Sequence, residues 1–148
     1  MFDLKRQGEL REAIESLYFG YRAFTMRADR ILDRHGLGRV HHRVLYFVGR
    51  HPDISVHALL ALLKVSKQAL NAPLRRLLAM NLVGSKADPS DRRVKLLRLT
   101  QTGAQLEAQL TGTQMDHLAR VFARTGPVAE SAWKAVMAGL ANDNEMAG

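Results

Sequence analysis

Apolar residues recur at helical spacing along most of this chain. Leu10, Ile14, Leu17, Tyr18, Tyr21, Phe24, Ile31 and Leu32 make one broad stripe, predicting a long helix from Leu10 to about Arg34 that Gly36 and Gly38 end. Val44, Leu45, Phe47 and Val48 mark a second helix from about Val40 to Arg50, stopped ahead of Pro52. Ser55 is a good N-cap for a third, carrying Leu59, Leu60, Leu62 and Leu63. Ser66 then caps a fourth, with Leu70, Leu74, Leu77 and Leu78 on its inner side and Lys67, Gln68, Asn71 and Arg75 on the other. Helix, tight turn and a second helix polar on its outer face is the helix-turn-helix pattern.

Two residues qualify that fourth helix. Pro73 removes an intrahelical hydrogen bond, at ~3 kcal/mol in an interior, and predicts either a bend or a later start to the regular part. Asn81 stands where a left-handed residue would end the helix.

Beyond Asn81 the pattern changes. Leu82–Lys86 and Arg93–Leu99 read as two short strands, with the turn-prone Asp88-Pro89-Ser90-Asp91 at the tip of the hairpin. The adjacent Leu96 and Leu97 spoil the alternation of the second strand, so its faces stay unassigned. Thr100 opens a helical region with Leu106, Leu110, Leu118, Val121 and Phe122 as its stripe. Gly126-Pro127 breaks it, and Trp133, Val136, Met137 and Leu140 predict a last helix before the polar tail Asn142-Asp143-Asn144-Glu145. The fold class expected is mainly α with a small β-hairpin (α+β), and 148 residues suit one domain.

Charge alters this picture through its location. Between Lys64 and Arg98 stand nine basic residues (Lys64, Lys67, Arg75, Arg76, Lys86, Arg92, Arg93, Lys95, Arg98) against the acidic pair Asp88 and Asp91. That excess of seven is nearly the whole net charge of +8. Charge focused on one helix and the hairpin after it points to a polyanion, and the arrangement suits DNA, with the helix in the wide groove and the hairpin beside it.

The order of these elements resembles the MarR family of winged-helix transcription regulators, from about Leu10 to Leu140. The most specific parts are Asp88-Pro89-Ser90-Asp91-Arg92-Arg93, similar to the family's wing tip, and Leu99-Thr100-Gln101-Thr102-Gly103, similar to its strand-to-helix exit. Val44-Leu45 and Val65-Ser66-Lys67-Gln68-Ala69-Leu70 match more loosely. The resemblance implies a winged helix-turn-helix over 38–100 and helical dimerisation regions over 4–35 and 101–142. It further implies a homodimer on a pseudo-palindromic operator, usually a repressor, released by a small-molecule effector. The apolar stripes of both terminal regions agree with a two-fold partner. The two recognition helices would then lie ~34 Å apart on the duplex.

Residue roles follow from that frame. Lys67, Gln68 and Asn71 are the candidates for base contacts, because Gln and Asn read adenine bidentately. Lys64 and Arg75 suit phosphates. Of Arg92 and Arg93, one is expected in the minor groove and the other on Asp88 or Asp91, shaping the loop. Ser66, Lys86 and Lys95 complete the expected DNA-facing set. Ala72 stands where many relatives place a long polar residue, which displaces base readout towards the helix start.

Other chemistry is constrained from the residues themselves. The chain has no cysteine, which removes disulfides and thiolate sites. It shows no Gly-rich phosphate loop, no Gly-x-Ser-x-Gly elbow and no His-Glu-x-x-His helix, so an enzyme is not expected, and no cofactor is assigned. His35, His41, His42, His51 and His57 leave a metal- or haem-responsive regulator as an alternative, although adjacent histidines on a helix point about 100° apart. Tyr18, Tyr21, Arg22, His42, Tyr46 and Phe47 are candidates to line an effector pocket. A non-specific architectural DNA binder would carry the same charge. No apolar run is long enough for a bilayer and no secretion signal is legible near Met1, so the cytoplasm is the expected location.

Overall fold

The computed structural model describes residues 1–147. Along these residues run α1 (Leu4–Arg34), α2 (Arg39–Arg50), β1 (Ile54–Ser55), α3 (Val56–Leu63), α4 (Lys67–Ala79), β2 (Val83–Asp88), β3 (Asp91–Leu99), α5 (Gln101–Thr125) and α6 (Pro127–Ala147). Helices α1, α3, α4 and α5 start where a side-chain oxygen can satisfy a free backbone N–H. Ser55 Oγ accepts from Ala58 N at 3.0 Å, Ser66 Oγ from Ala69 N at 3.1 Å, and Thr100 Oγ1 from Gly103 N at 3.0 Å. Besides α3, which ends at the left-handed Lys64, α1 and α4 stop through left-handed residues, Gly36 (φ +67) and Asn81 (φ +57). In each case the next residue's N–H returns to the carbonyl five positions back, Leu37 to Leu32 and Leu82 to Leu77, both at 3.0 Å.

The core gathers Ile31 and Leu32 of α1, Val44, Leu45 and Val48 of α2, Leu59 of α3, Leu70 and Leu77 of α4, Val83 and Leu97 of the strands, and Leu106 and Leu110 of α5. The three strands form one antiparallel sheet in the order β1-β3-β2. Leu97 pairs with Ile54 and faces the core, which assigns the strand faces that alternation leaves open: Leu97 points inward, and Leu96 and Arg98 lie on the outer face.

The expectations need four adjustments. Helix α1 begins at Leu4 rather than Leu10, because Asp3 accepts from Arg6 N at 2.8 Å and caps it earlier. Helix α6 continues to Ala147, so the stretch expected as a polar tail is helical backbone. Strand β1 has no counterpart among the expected elements; its two residues carry no periodicity of their own and owe their strand geometry to β3. Helix α4 starts at Lys67 and runs through Pro73 without a break, so a later start is ruled out. Pro73 still cannot donate to the carbonyl of Ala69, but Leu70, Leu74 and Leu77 are buried around it and hold the helix in place.

The Leu-Thr-x-x-Gly exit has a packing cause. Thr100 N donates to Leu82 O at 3.1 Å, and Thr100 Oγ1 donates to Asn81 O at 2.7 Å. This draws the first turn of α5 onto the start of β2, where a Cβ at Gly103 would stand 1.8 Å from Leu82 O. Only glycine fits there.

Outside the core, the first four turns of α1 and most of α6 stand clear of the rest of the chain. Ile14, Leu17, Tyr18 and Phe19 are exposed on α1, and Val128, Val136 and Leu140 on α6.

Candidate nucleic-acid interface

Helix α3 ends in a left-handed Lys64 (φ +57), and Val65 and Ser66 turn the chain into α4. Burial of Leu70, Leu74 and Leu77 fixes the roll of α4 and turns Lys67, Gln68, Asn71, Ala72 and Arg75 to the surface. Arg76, on the edge of that face, donates to Gly36 O at 3.3 Å and braces α4 against the α1–α2 corner. Asn71 thus stands on the exposed side with Gln68 one turn before it and Arg75 one turn after.

The wing differs in detail from the expected hairpin. Both strands continue to the tip, leaving Pro89 and Ser90 as the turn between Asp88 and Asp91. Tight two-residue hairpins favour left-handed backbone, which proline cannot adopt, and neither Pro89 nor Ser90 has a positive φ. The mismatch is absorbed on β3: Ala87 pairs with Lys95 and Asp88 with Asp91, so Arg92, Arg93 and Val94 bulge out with no partner on β2.

Each tip aspartate is committed. Asp88 Oδ1 accepts from Ser90 N at 2.9 Å and Ser90 Oγ at 2.8 Å, which holds its carboxyl below the usual range. Asp91 accepts from Arg93 Nε at 3.1 Å, Arg93 Nη2 at 3.2 Å and Arg93 N at 3.1 Å, and is likewise held low. Arg93 therefore shapes the loop, while Arg92 has no ion pair among the described residues.

All ten residues expected at the DNA are exposed: Lys64, Ser66, Lys67, Gln68, Asn71, Arg75, Lys86, Arg92, Arg93 and Lys95. They do not share one surface. Lys86 and Arg98 lie on the outer face of the sheet, where Asp53 takes Arg98 Nη2 at 2.6 Å and approaches Lys86 Nζ at 3.8 Å. The Arg98 hydrogen bonds hold the Asp53 carboxyl below its ordinary range. Sequence reasoning missed this group, because Asp53 and Arg98 are 45 positions apart and neither belongs to a motif.

A cleft of about 350 Å³ opens between α1, α2 and α5. Of the residues named for an effector pocket, Tyr21, His42, Tyr46 and Phe47 line this cleft, and Tyr18 and Arg22 do not. Tyr18 lies one turn beyond the end of the cleft and packs on Phe19, and Arg22 is about 100° around the helix from Tyr21. In their place come Asp29, Arg39, Arg43 and Thr111. Asp29 accepts from Arg39 Nη2 at 2.9 Å and from Arg39 Nε, which raises the arginine's pKa, and the guanidinium lies 5.5 Å from the centre of the Tyr21 ring. His42 Nε2 is 3.1 Å from Thr111 Oγ1, whose hydroxyl donates to the Glu107 carboxylate. Burial pushes His42 below the ordinary histidine value, partly offset by Glu107 and Asp29.

The other histidines do not converge. His35 Nδ1 is 3.0 Å from Ile31 O, and His41 Nδ1 accepts from Gly38 N at 2.9 Å at the start of α2. Burial and the nearby Arg76 lower the pKa of His41. Among the described residues no three of His, Asp and Glu are grouped to hold a metal ion, and no helix is long and apolar enough to cross a membrane.

Comparison with known proteins extends this description. The MarR family model matches residues 35–94. The HTH-type transcriptional regulator PetP of Rhodobacter capsulatus is 40% identical over 129 residues, covering 87% of this chain and 78% of that protein. Among solved structures, the MarR family transcription regulator SP03579 superposes with a TM-score of 0.79 at 19% identity, over 95% of this chain and 93% of that one. Reduced AbfR bound to DNA gives 0.71 at 18% identity, over 95% and 98%.

Proposed function

The chain belongs to the MarR family, and on that premise we propose that it is a transcriptional regulator that binds double-stranded DNA as a homodimer. The reading is that of a repressor on a pseudo-palindromic operator. Residues 38–100 form the winged helix-turn-helix, and 4–35 with 101–142 form the dimer, α6 continuing beyond that boundary. The observation that carries it is the division of labour at the wing and α4. A capped, core-anchored helix presents Lys67, Gln68, Asn71 and Arg75, and a bulged tip presents Arg92 while Asp91 holds Arg93.

In this reading Lys67, Gln68 and Asn71 meet base edges in the major groove, and Ser66, Lys64 and Arg75 sit at phosphates. Arg92 enters the minor groove, with Lys95 on the strand behind it. The exposed apolar residues of α1 and α6 support a two-fold partner, since free helices of this kind are marginal in water. The cleft suits a small aromatic or anionic effector: it has an aromatic wall with His42, Arg39 and Arg43 at its edge. It lies between the helices assigned to the dimer and α2, so its filling would shift the spacing of the two recognition helices. DNA chemistry of this sort needs no catalytic group, and the protein is read as non-enzymatic and cytoplasmic.

The test is binding of purified protein to the duplex upstream of its own gene and to random duplex at one salt concentration. A preference of ~10³ is expected for a sequence-specific regulator. Comparable binding to both would leave an architectural role instead. On the same duplexes, Asn71→Ala should reduce the preference by roughly tenfold with little change on random DNA. Equal losses on both would move Asn71 to the phosphates.

A further inference from the structure

Asp53 adopts a left-handed conformation, φ +65. The other non-glycine residues in this region, Lys64 and Asn81, end helices, where such backbone is the usual stop. Asp53 ends none, because α2 is already closed at His51. Glycine would hold this backbone without the steric cost of a Cβ. A side chain kept at such a position calls for a use, and here the use is visible.

The Asp53 carboxylate takes a two-point hydrogen bond from Arg98, Nε at 3.1 Å and Nη2 at 2.6 Å. It also stands 3.8 Å from Lys86 Nζ. Arg98 is on β3 opposite Gly84, and Lys86 is on β2 opposite Leu96, so both cations project from the outer face of the hairpin. One carboxylate from outside the hairpin therefore spans its two strands. The remaining ties at this edge are the two-residue β1 ladder and the bond from Asp53 N to Leu97 O at 3.0 Å. These hold β3 alone. β1 forms no ladder with β2, and the tip with Arg92 lies at the far end of both strands.

We propose that Asp53 is the positioning residue of the wing: it locks both strands of the hairpin to the α2–β1 corner and so fixes where Arg92 stands relative to α4. A tip already in place loses less freedom when it meets a ligand, and a swinging one loses more. The consequence for DNA rests on the function proposed above; the locking of the hairpin does not.

Two measurements separate these parts. In the free protein, amide hydrogen exchange of β2 and β3 should quicken about tenfold in Asp53→Gly and in Arg98→Ala, relative to α2 and α5 as internal references. Operator affinity should fall about tenfold in each, with a smaller salt dependence, and the double variant should be no worse than either alone. Asp53→Gly should not melt below the parent, since relief of the left-handed Cβ offsets the missing pair; a residue with only a structural role would lower both. Asp53→Asn, which tolerates the same backbone, guards against an artefact of glycine flexibility and should behave alike. Unchanged exchange in all variants overturns the proposal. So does stronger binding to every duplex with a steeper salt dependence, which would make Asp53 only a charge competing with phosphate. Faster exchange in a protein that prefers no duplex would uphold the positioning role and remove the DNA reading.

Discussion

Gly103→Ala is expected to cost about 3 kcal/mol, the upper end of what overpacking a well-ordered site does, and to lower the melting temperature by roughly 10 °C. The added methyl would fall 1.8 Å from Leu82 O and 2.8 Å from Leu82 C. Both are backbone atoms, so no side chain can swing aside. Leu82 cannot retreat either: its N–H is bonded to Leu77 O, its carbonyl takes the Thr100 N–H, and its side chain is buried. The first turn of α5 must lift off β2, breaking the Thr100 hydrogen bonds to Asn81 and Leu82. Ala104→Gly is the control, an exposed neighbour in the same turn that should lose only helix propensity, ~1 kcal/mol. Thermal melts at fixed protein concentration compare them. A Gly103→Ala protein melting within about 2 °C of the parent would show that α5 does not dock on Leu82 in this way.

Arg92→Ala together with Arg93→Ala should weaken binding to every duplex by on the order of a hundredfold, and the salt slope should shrink by ~0.9 for each phosphate that is no longer neutralised. The two arginines contribute differently. Arg92 extends from the bulge without an acidic partner among the described residues, so Arg92→Ala alone should remove most of the affinity and slope. Arg93 neutralises Asp91, and its removal leaves an unpaired carboxylate at a tip proposed to meet phosphates. Arg93→Ala should therefore be partly rescued by Asp91→Ala, whereas Arg92→Ala should not. Titrations at several salt concentrations read both quantities. Unchanged affinity and slope in the double variant would mean that the hairpin is not a DNA-contacting wing.

Much of this architecture is legible without coordinates. Ser55, Ser66 and Thr100 mark helix starts because an N-cap is decided within three residues of itself. Asn81 and Gly36 mark stops for the same local reason. The expectation of one wing arginine bound to an aspartate is also within reach, since Asp91 and Arg93 are two positions apart. The strand faces are not, because Leu96 and Leu97 are equally apolar and only the pairing of Leu97 with Ile54 separates them. The pocket is legible in part: Tyr21, His42, Tyr46 and Phe47 stand out as an aromatic group, but Asp29, Arg39 and Thr111 come from three helices whose spacing no pattern records.

The start of α1 and the end of α6 are not written in the sequence, whereas the order of the helices and most of their boundaries, the polar face of α4 and the concentration of positive charge between Lys64 and Arg98 are. Each depends on residues a few positions apart, where propensity, capping and periodicity act without reference to the rest of the chain. The folded arrangement alone accounts for β1, for the three residues that bulge at the wing tip, for Gly103 against Leu82 and for the pairing of Asp53 with Arg98. These depend on which distant backbones are brought within a few ångströms, and burial of a shared core sets that distance, with no trace left in the spacing of residues along the chain.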